Sequence, residues 1–132
     1  MAYTVTDDGV ITMFRGDTVA LEVDMTVYNA DGSIAEDNYA MSNGDKLILT
    51  VRSLPSRSSP VLFQITSSTS QILIRPEDTA NVDPGEYSAD IEFRKADGTV
   101  NTIFPLLQNL PSRALKTVVN WKNFIIVGEV TE

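Results

Sequence analysis

Apolar and polar residues alternate along much of the chain, with the two-residue period of β-strands that bury one face. Between Thr18 and Tyr28 the Val, Leu and Met residues occupy odd positions and the acidic residues even positions, and apolar and acidic residues alternate in the same way in Tyr87–Phe93. The same reasoning, applied to the whole chain, predicts strands at Val10–Phe14, Val19–Val27, Lys46–Ser53, Val61–Ile65, Gln71–Arg75, Tyr87–Phe93, Thr99–Phe104 and Asn123–Val130.

Residues that favour turns separate these strands. Asn29–Ser33, Asn43–Asp45 and Ala96–Gly98 each combine Gly with Asn or Asp, which tolerate turn conformations. Pro76–Thr79 reads as a single helical turn, because Pro favours the first helical position and acidic residues favour the first turn. Short strands joined in this way, without long helical periodicity, predict an all-β sandwich or barrel.

One segment does not follow the strand pattern. Pro105–Trp121 is too long for a hairpin turn, and we interpret it as a long ordered loop before the last strand, with a short helix beginning near Ser112. A small sandwich has little room to bury all of its apolar residues, so some should face another chain. The candidate interface residues are Leu106, Leu107, Leu110, Leu115 and Trp121.

Length and composition narrow the function. A chain of 132 residues fits one domain, predicted to span 1–132. It contains no His and no Cys, which excludes imidazole and thiolate chemistry, and we predict no enzyme activity, no cofactor and no metal site. A net charge of −8 argues against nucleic acid and anionic membrane surfaces as partners. The polar, acidic start of the chain does not resemble a signal peptide.

Two short motifs have competing interpretations. Arg15, Gly16 and Asp17 form the tripeptide that integrin ligands present on loop tips, but here it lies between two apolar strands. We favour a structural role, with Gly16 permitting a tight or bulged backbone and Asp17 bonding local amides. Asn29–Ser33 has a partial likeness to a calcium loop, but its twelfth position is Ala40 instead of Glu. We favour a hairpin turn there.

Five blocks in order resemble the N-terminal domain of phage baseplate upper proteins, a family of tailed phages and prophages of Gram-positive bacteria. These blocks, followed by the ending Gly128–Glu132, are Met13–Thr18, Gly44–Arg52, Ile74–Thr79, Pro84–Ile91 and Gly98–Ile103.

The resemblance implies an immunoglobulin-like antiparallel β-sandwich with one helical-turn corner. It implies structural roles for Pro76, Asp78, Thr79, Gly85 and Tyr87, with Asp78 and Thr79 capping the turn and Tyr87 acting as a tyrosine corner. The expected function is that of a non-enzymatic assembly subunit of a tail baseplate. Its expected partners are copies of itself or other baseplate proteins, and its expected location is the virion, after assembly in the bacterial cytoplasm. The alternative is a module that recognises saccharide or protein on a host surface, for which Tyr3, Tyr28, Tyr39 and Trp121 are the available aromatic residues.

Overall fold

The computed structural model describes residues 3–6, 9–25, 27–31, 33–36, 39–54, 56, 58–105, 108–109, 117–118 and 122–128. These residues confirm the all-β prediction, since they form strands with one short helix, α1 (Pro76–Thr79). The strands are β1 (Tyr3–Val5), β2 (Ile11–Phe14), β3 (Val19–Glu22), β4 (Val27–Tyr28), β5 (Ile34–Glu36), β6 (Lys46–Arg52), β7 (Val61–Ser67), β8 (Gln71–Ile74), β9 (Gly85–Arg94), β10 (Val100–Phe104), β11 (Gln108–Asn109), β12 (Thr117–Val118) and β13 (Phe124–Val127).

The largest sheet has seven strands in the order β1-β2-β13-β9-β6-β7, with β10 also paired to β9. The ten-residue strand β9 holds it together, because one edge of β9 pairs with β6 and the other pairs first with β13 and then with β10. One pair differs from the antiparallel arrangement expected from the sequence: β13 runs parallel to β2. These two strands lie far apart in the chain, so no hairpin sets their direction.

The core lies between this sheet and a separate pair, β3 with β8. Alternate residues of β3 and β8 point into it, and β6 and β9 contribute alternate residues from the opposite side. The fully buried side chains of this core include Val19, Ile72, Ile74, Leu47, Leu49, Val51, Met13, Phe124 and Ile126. Burial of such residues is the main force that stabilises the fold.

The predicted strand Val19–Val27 is interrupted in the structure. Its first part, β3, pairs with β8, which is only four residues long, so the ladder stops at Glu22. The backbone of Met25 instead accepts a hydrogen bond from Tyr39, and β4 pairs with β5. The inward positions are nevertheless as predicted, since Leu21 and Met25 are buried.

Two other expectations change. Within the predicted strand Thr99–Phe104 the sequence favours partial burial of Val100, but this side chain is 51% exposed because it is the first residue of β10, next to the turn. The predicted long loop at 105–121 contains the short antiparallel pair of β11 and β12. The helix expected near Ser112 falls outside the described residues.

Candidate functional site

The tripeptide Arg15, Gly16 and Asp17 forms the tight turn between β2 and β3. Gly16 has a φ of +82°, the left-handed region that favours glycine, as the sequence predicted. Its N–H donates a 2.8 Å hydrogen bond to the Oγ1 of Thr79, which is completely buried. The Arg15 N–H also donates to the backbone oxygen of Val127. The turn is therefore held by the fold and half buried, and the hydroxyl of Thr79 joins it to α1.

The Asp17 side chain was expected to bond local amides. In the described part of the chain, its backbone N–H makes the hydrogen bond of this turn instead, to the oxygen of Phe14 at 3.3 Å. The turn therefore depends more on the backbone conformation of Gly16 than on the carboxylate of Asp17.

Asp78 caps the start of α1 as expected, whereas the Thr79 hydroxyl, which was expected to cap the same turn, accepts from Gly16 instead. Pro76 opens the helix, and the Oδ2 of Asp78 accepts a 2.8 Å hydrogen bond from the N–H of Arg75. The N–H of Asp78 donates in return to the backbone oxygen of Arg75. The Asp78 carboxylate thus makes one half of a capping box, and the other bond is a backbone turn. Both satisfy backbone groups that a helix end leaves open.

Tyr87 lies at the start of β9, next to this corner. Its ring packs against the core and its hydroxyl donates to the backbone oxygen of Asp83. Gly85 lies under the ring, where an added Cβ would stand 3.6 Å from the hydroxyl oxygen. This is the contact that a tyrosine corner makes, a ring in the core with its hydroxyl bound to nearby backbone.

A buried carboxylate at Asp45 joins two turns, and the sequence did not single it out. Asp45 is 3% exposed, and its Oδ2 accepts hydrogen bonds from the Ser42 N–H at 2.9 Å and the Tyr39 hydroxyl at 3.1 Å. Its Oδ1 accepts one from the Ala96 N–H at 3.1 Å. The bond from Ser42 contributes most to holding the pKa of Asp45 below its usual value, and burial opposes it. The only sequence signal was the turn Asn43–Asp45.

The side chains around this carboxylate are tightly arranged. The Nζ of Lys95 lies 5.7 Å from the centroid of the Tyr39 ring, and the Tyr39 ring meets Phe93 edge to face. Gly44 has a φ of +94°, and a Cβ added there would come 2.8 Å from the Cβ of Ala96. The two turns therefore fit together only with glycine at this position.

An apolar groove of about 830 Å³ lies next to Tyr39, Phe93 and Lys95, which form part of its lining. Glu22, Asp24 and Lys95 supply charge at its lining. Among the apolar residues that line it are Leu21, Met25, Tyr39, Phe93, Ile103 and Phe104. A cavity of this size can accept an apolar side chain or small molecule.

Asn123 is a second buried polar residue that the sequence did not single out. It is completely buried, its Oδ1 accepts a 2.7 Å hydrogen bond from the Ala89 N–H, and its Nδ2 donates at 3.0 Å to the Ala89 oxygen. The amide therefore bonds β9 in the stretch between its pairing with β13 and its pairing with β10. No period-two pattern identifies such a residue, because its role depends on a strand that lies 34 positions away.

The acidic turn Asn29–Ser33 is a hairpin turn between β4 and β5. The Oδ1 of Asp31 accepts hydrogen bonds from the Ser33 hydroxyl at 2.6 Å and from the Ser33 N–H at 2.9 Å. These bonds hold the pKa of Asp31 below its usual value. Among the described residues, no group of three or more acidic side chains is placed to hold a metal ion.

The interface candidates of the loop, which are Leu106, Leu107, Leu110, Leu115 and Trp121, all lie outside the described residues. Their predicted role therefore stays a prediction. In the described part of the chain, no helix is long and apolar enough to cross a membrane.

Comparison of the chain with protein-family models, with curated proteins and with solved structures finds no match in any of the three.

Proposed function

We propose that this chain is a non-enzymatic structural subunit that works through protein–protein contacts, as a building block of a phage or prophage tail baseplate. Its fold in this proposal is an immunoglobulin-like sandwich in which β3 and β8 form part of the second layer. The observation that carries the proposal is that the polar side chains of the motif residues bind the protein's own backbone. Thr79, Asp78 and Tyr87 each direct their side chain to a backbone group of the chain itself.

Such contacts stabilise the fold and occupy the polar groups that would otherwise be available to a substrate. A catalytic site needs a nucleophile, acid or base that is free to meet a substrate. The most buried carboxylate of the described residues, Asp45, accepts three hydrogen bonds from its own chain and is thereby held in its charged form. The motif that resembles an integrin ligand is likewise bound to buried Thr79 and lies half buried. These features support an architectural role.

The sequence resemblance supports the baseplate assignment. Its blocks coincide with elements of the fold, namely the turn before β3, the strand β6, the corner α1, the start of β9 and the strand β10. A domain that repeats in a symmetric particle needs these elements to be rigid, because its contacts with neighbours depend on the relative position of its strands and corners.

The alternative, recognition of a host surface, has less support. Saccharide sites present aromatic rings to solvent, but the Tyr39 ring contacts Phe93 and its hydroxyl donates to Asp45. The Tyr3 hydroxyl accepts a 3.4 Å hydrogen bond from the N–H of Glu22. Both tyrosines therefore make contacts inside the fold.

The proposal is tested by the genes that flank this one and by assembly of the purified chain. Neighbouring genes for a tape-measure protein, tail fibres or a lysin are the expected result, and a metabolic operon would contradict the proposal. In solution, we expect the chain to associate with itself or with the products of those neighbouring tail genes in a pull-down from purified components. Specific retention on a glycan array, with no association of either kind, would favour the recognition module.

A further inference from the structure

The strand β7 is the last strand of the seven-stranded sheet, and among the described residues its outer edge is open. β7 pairs with β6 along its length, and no other described strand pairs with it. Within the described part of the chain, Val61–Thr66 make no backbone hydrogen bond outside this pair. Alternate backbone groups of an antiparallel strand point away from its partner, so the outer edge presents a row of donors and acceptors.

This edge lacks the usual protection against pairing with another strand. Natural proteins shorten edge strands, place Lys or Pro on them, or bend them with a bulge. β7 has seven residues, contains no charged residue, Pro or Gly, and has its register shift only at the Val61 end. At the opposite side, β1 is only three residues long, and β10 has a bulge between Thr102 and Phe104. Among the edges of the seven-stranded sheet, β7 is therefore best suited to accept another strand.

The distribution of charge along the chain indicates which partner could supply the added strand. The residues from Ser58 to Ile74 include no charged side chain, although 21% of the chain is charged and the net charge is −8. Two copies with this net charge repel each other over most of their surfaces. The uncharged segment that contains β7 lets two copies approach with less repulsion than the charged surfaces do. Residues 98–112 are also uncharged, but their strand β10 is bulged, which leaves β7 as the better edge.

We propose that β7 pairs antiparallel with β7 of a second copy across a two-fold axis, so that the two large sheets become continuous. Pairing centred on Gln64 places Leu62 opposite the partner's Thr66 and Phe63 opposite the partner's Ile65, without any charge in the contact. An antiparallel pair of identical strands satisfies two-fold symmetry, because each strand offers the other the same surface. The inference rests on the proposed function, for which it supplies a partner and a surface.

Light scattering on the full chain at several concentrations tests the pairing, with two matched double variants. Gln64→Lys with Thr66→Lys places two lysines on the exposed face of β7, and Val100→Lys with Thr102→Lys does the same on β10, where both residues are also exposed. The unmodified chain should have twice the monomer mass at tens of micromolar. The β7 variant should raise the dissociation constant at least ten-fold, and the β10 variant should leave it unchanged.

Amide hydrogen exchange provides a second measurement that does not depend on the variants folding. In the unmodified chain, the amides of Val61–Thr66 should exchange more slowly at high than at low concentration. Exchange there that does not depend on concentration would overturn the pairing, as would a monomer mass at tens of micromolar. An oligomer that only the β10 variant dissociates would also overturn it but would leave the proposed assembly role in place. The assembly role itself fails if the monomer also binds none of the neighbouring tail gene products.

Discussion

Asn123 offers a sharp test of how the large sheet is held together. Its amide makes two hydrogen bonds to Ala89, at 2.7 and 3.0 Å, and both residues are buried. The substitution Asn123→Ala removes the side-chain hydrogen-bond partners of both the N–H and the oxygen of Ala89. A buried donor or acceptor without a partner costs about 1–3 kcal/mol. With two such groups, we expect the free energy of unfolding to fall by about 3–4 kcal/mol.

The assay is urea unfolding followed by circular dichroism, together with thermal unfolding. For a chain of this size, the expected loss corresponds to a fall in Tm of about 10–15 °C, from an unfolding entropy of about 2.1 cal/mol/K per residue. Asn101→Ala is the matched control, because Asn101 is exposed on β10, and it should change the stability by less than about 0.5 kcal/mol. The dependence of the unfolding free energy on urea should stay the same in both variants.

Asn123→Asp adds a test of the hydrogen-bond geometry. A charged carboxylate at this position accepts from the Ala89 N–H but repels the Ala89 oxygen, whereas the protonated form donates to that oxygen as the amide does. Folding therefore raises the pKa of the introduced carboxyl, and the variant should gain stability as the pH falls from 8 toward 5. The reasoning is refuted if Asn123→Ala costs no more than Asn101→Ala, or if the aspartate variant shows no such gain relative to the alanine variant.

Three further results are expected. Gly16→Val should lower the free energy of unfolding by about 1–3 kcal/mol, because φ at this position is +82° and the N–H must still reach Thr79; unchanged urea unfolding would contradict this. Asp45 has a pKa lowered from 3.8, so its contribution to stability is complete above that pH and is lost as the pH falls through the lowered pKa; Asp45→Asn should flatten the loss of stability measured in urea between pH 5 and pH 2, and an unchanged slope would contradict the assignment. Calcium or EDTA should leave Tm unchanged, because Asp31 bonds Ser33, and a Tm that rises with calcium concentration would identify a binding site.

The proposed edge pairing and the loop at 105–121 describe two separate routes to assembly. The sequence points to the loop through its concentration of apolar residues, such as Leu107 and Leu110. The structure points to β7 through its lack of charge and through an outer edge that no other described strand covers. The double lysine variants distinguish the two, because only the β7 route depends on the outer edge of that strand.

The sequence by itself determined where most strands lie and which faces they bury. Alternation of side chains is a local property, so Ala89, Ile91 and Phe93 could be assigned to the core without knowing their neighbours, and all three are buried. The left-handed turn at Gly16 and the helical turn at Pro76–Thr79 were also predicted, because both depend on the intrinsic conformational preferences of a few residues.

Only the tertiary structure decided how these elements meet. The parallel pairing of β2 with β13, the end of β3 at Glu22 and the hydrogen bond from Gly16 to Thr79 all depend on partners distant in the chain. Asp45 and Asn123 belong to the same class, since a polar residue gains a buried role only when another strand or turn supplies its hydrogen bonds. Local patterns encode burial and turns, whereas strand partners are selected by the packing of the whole core.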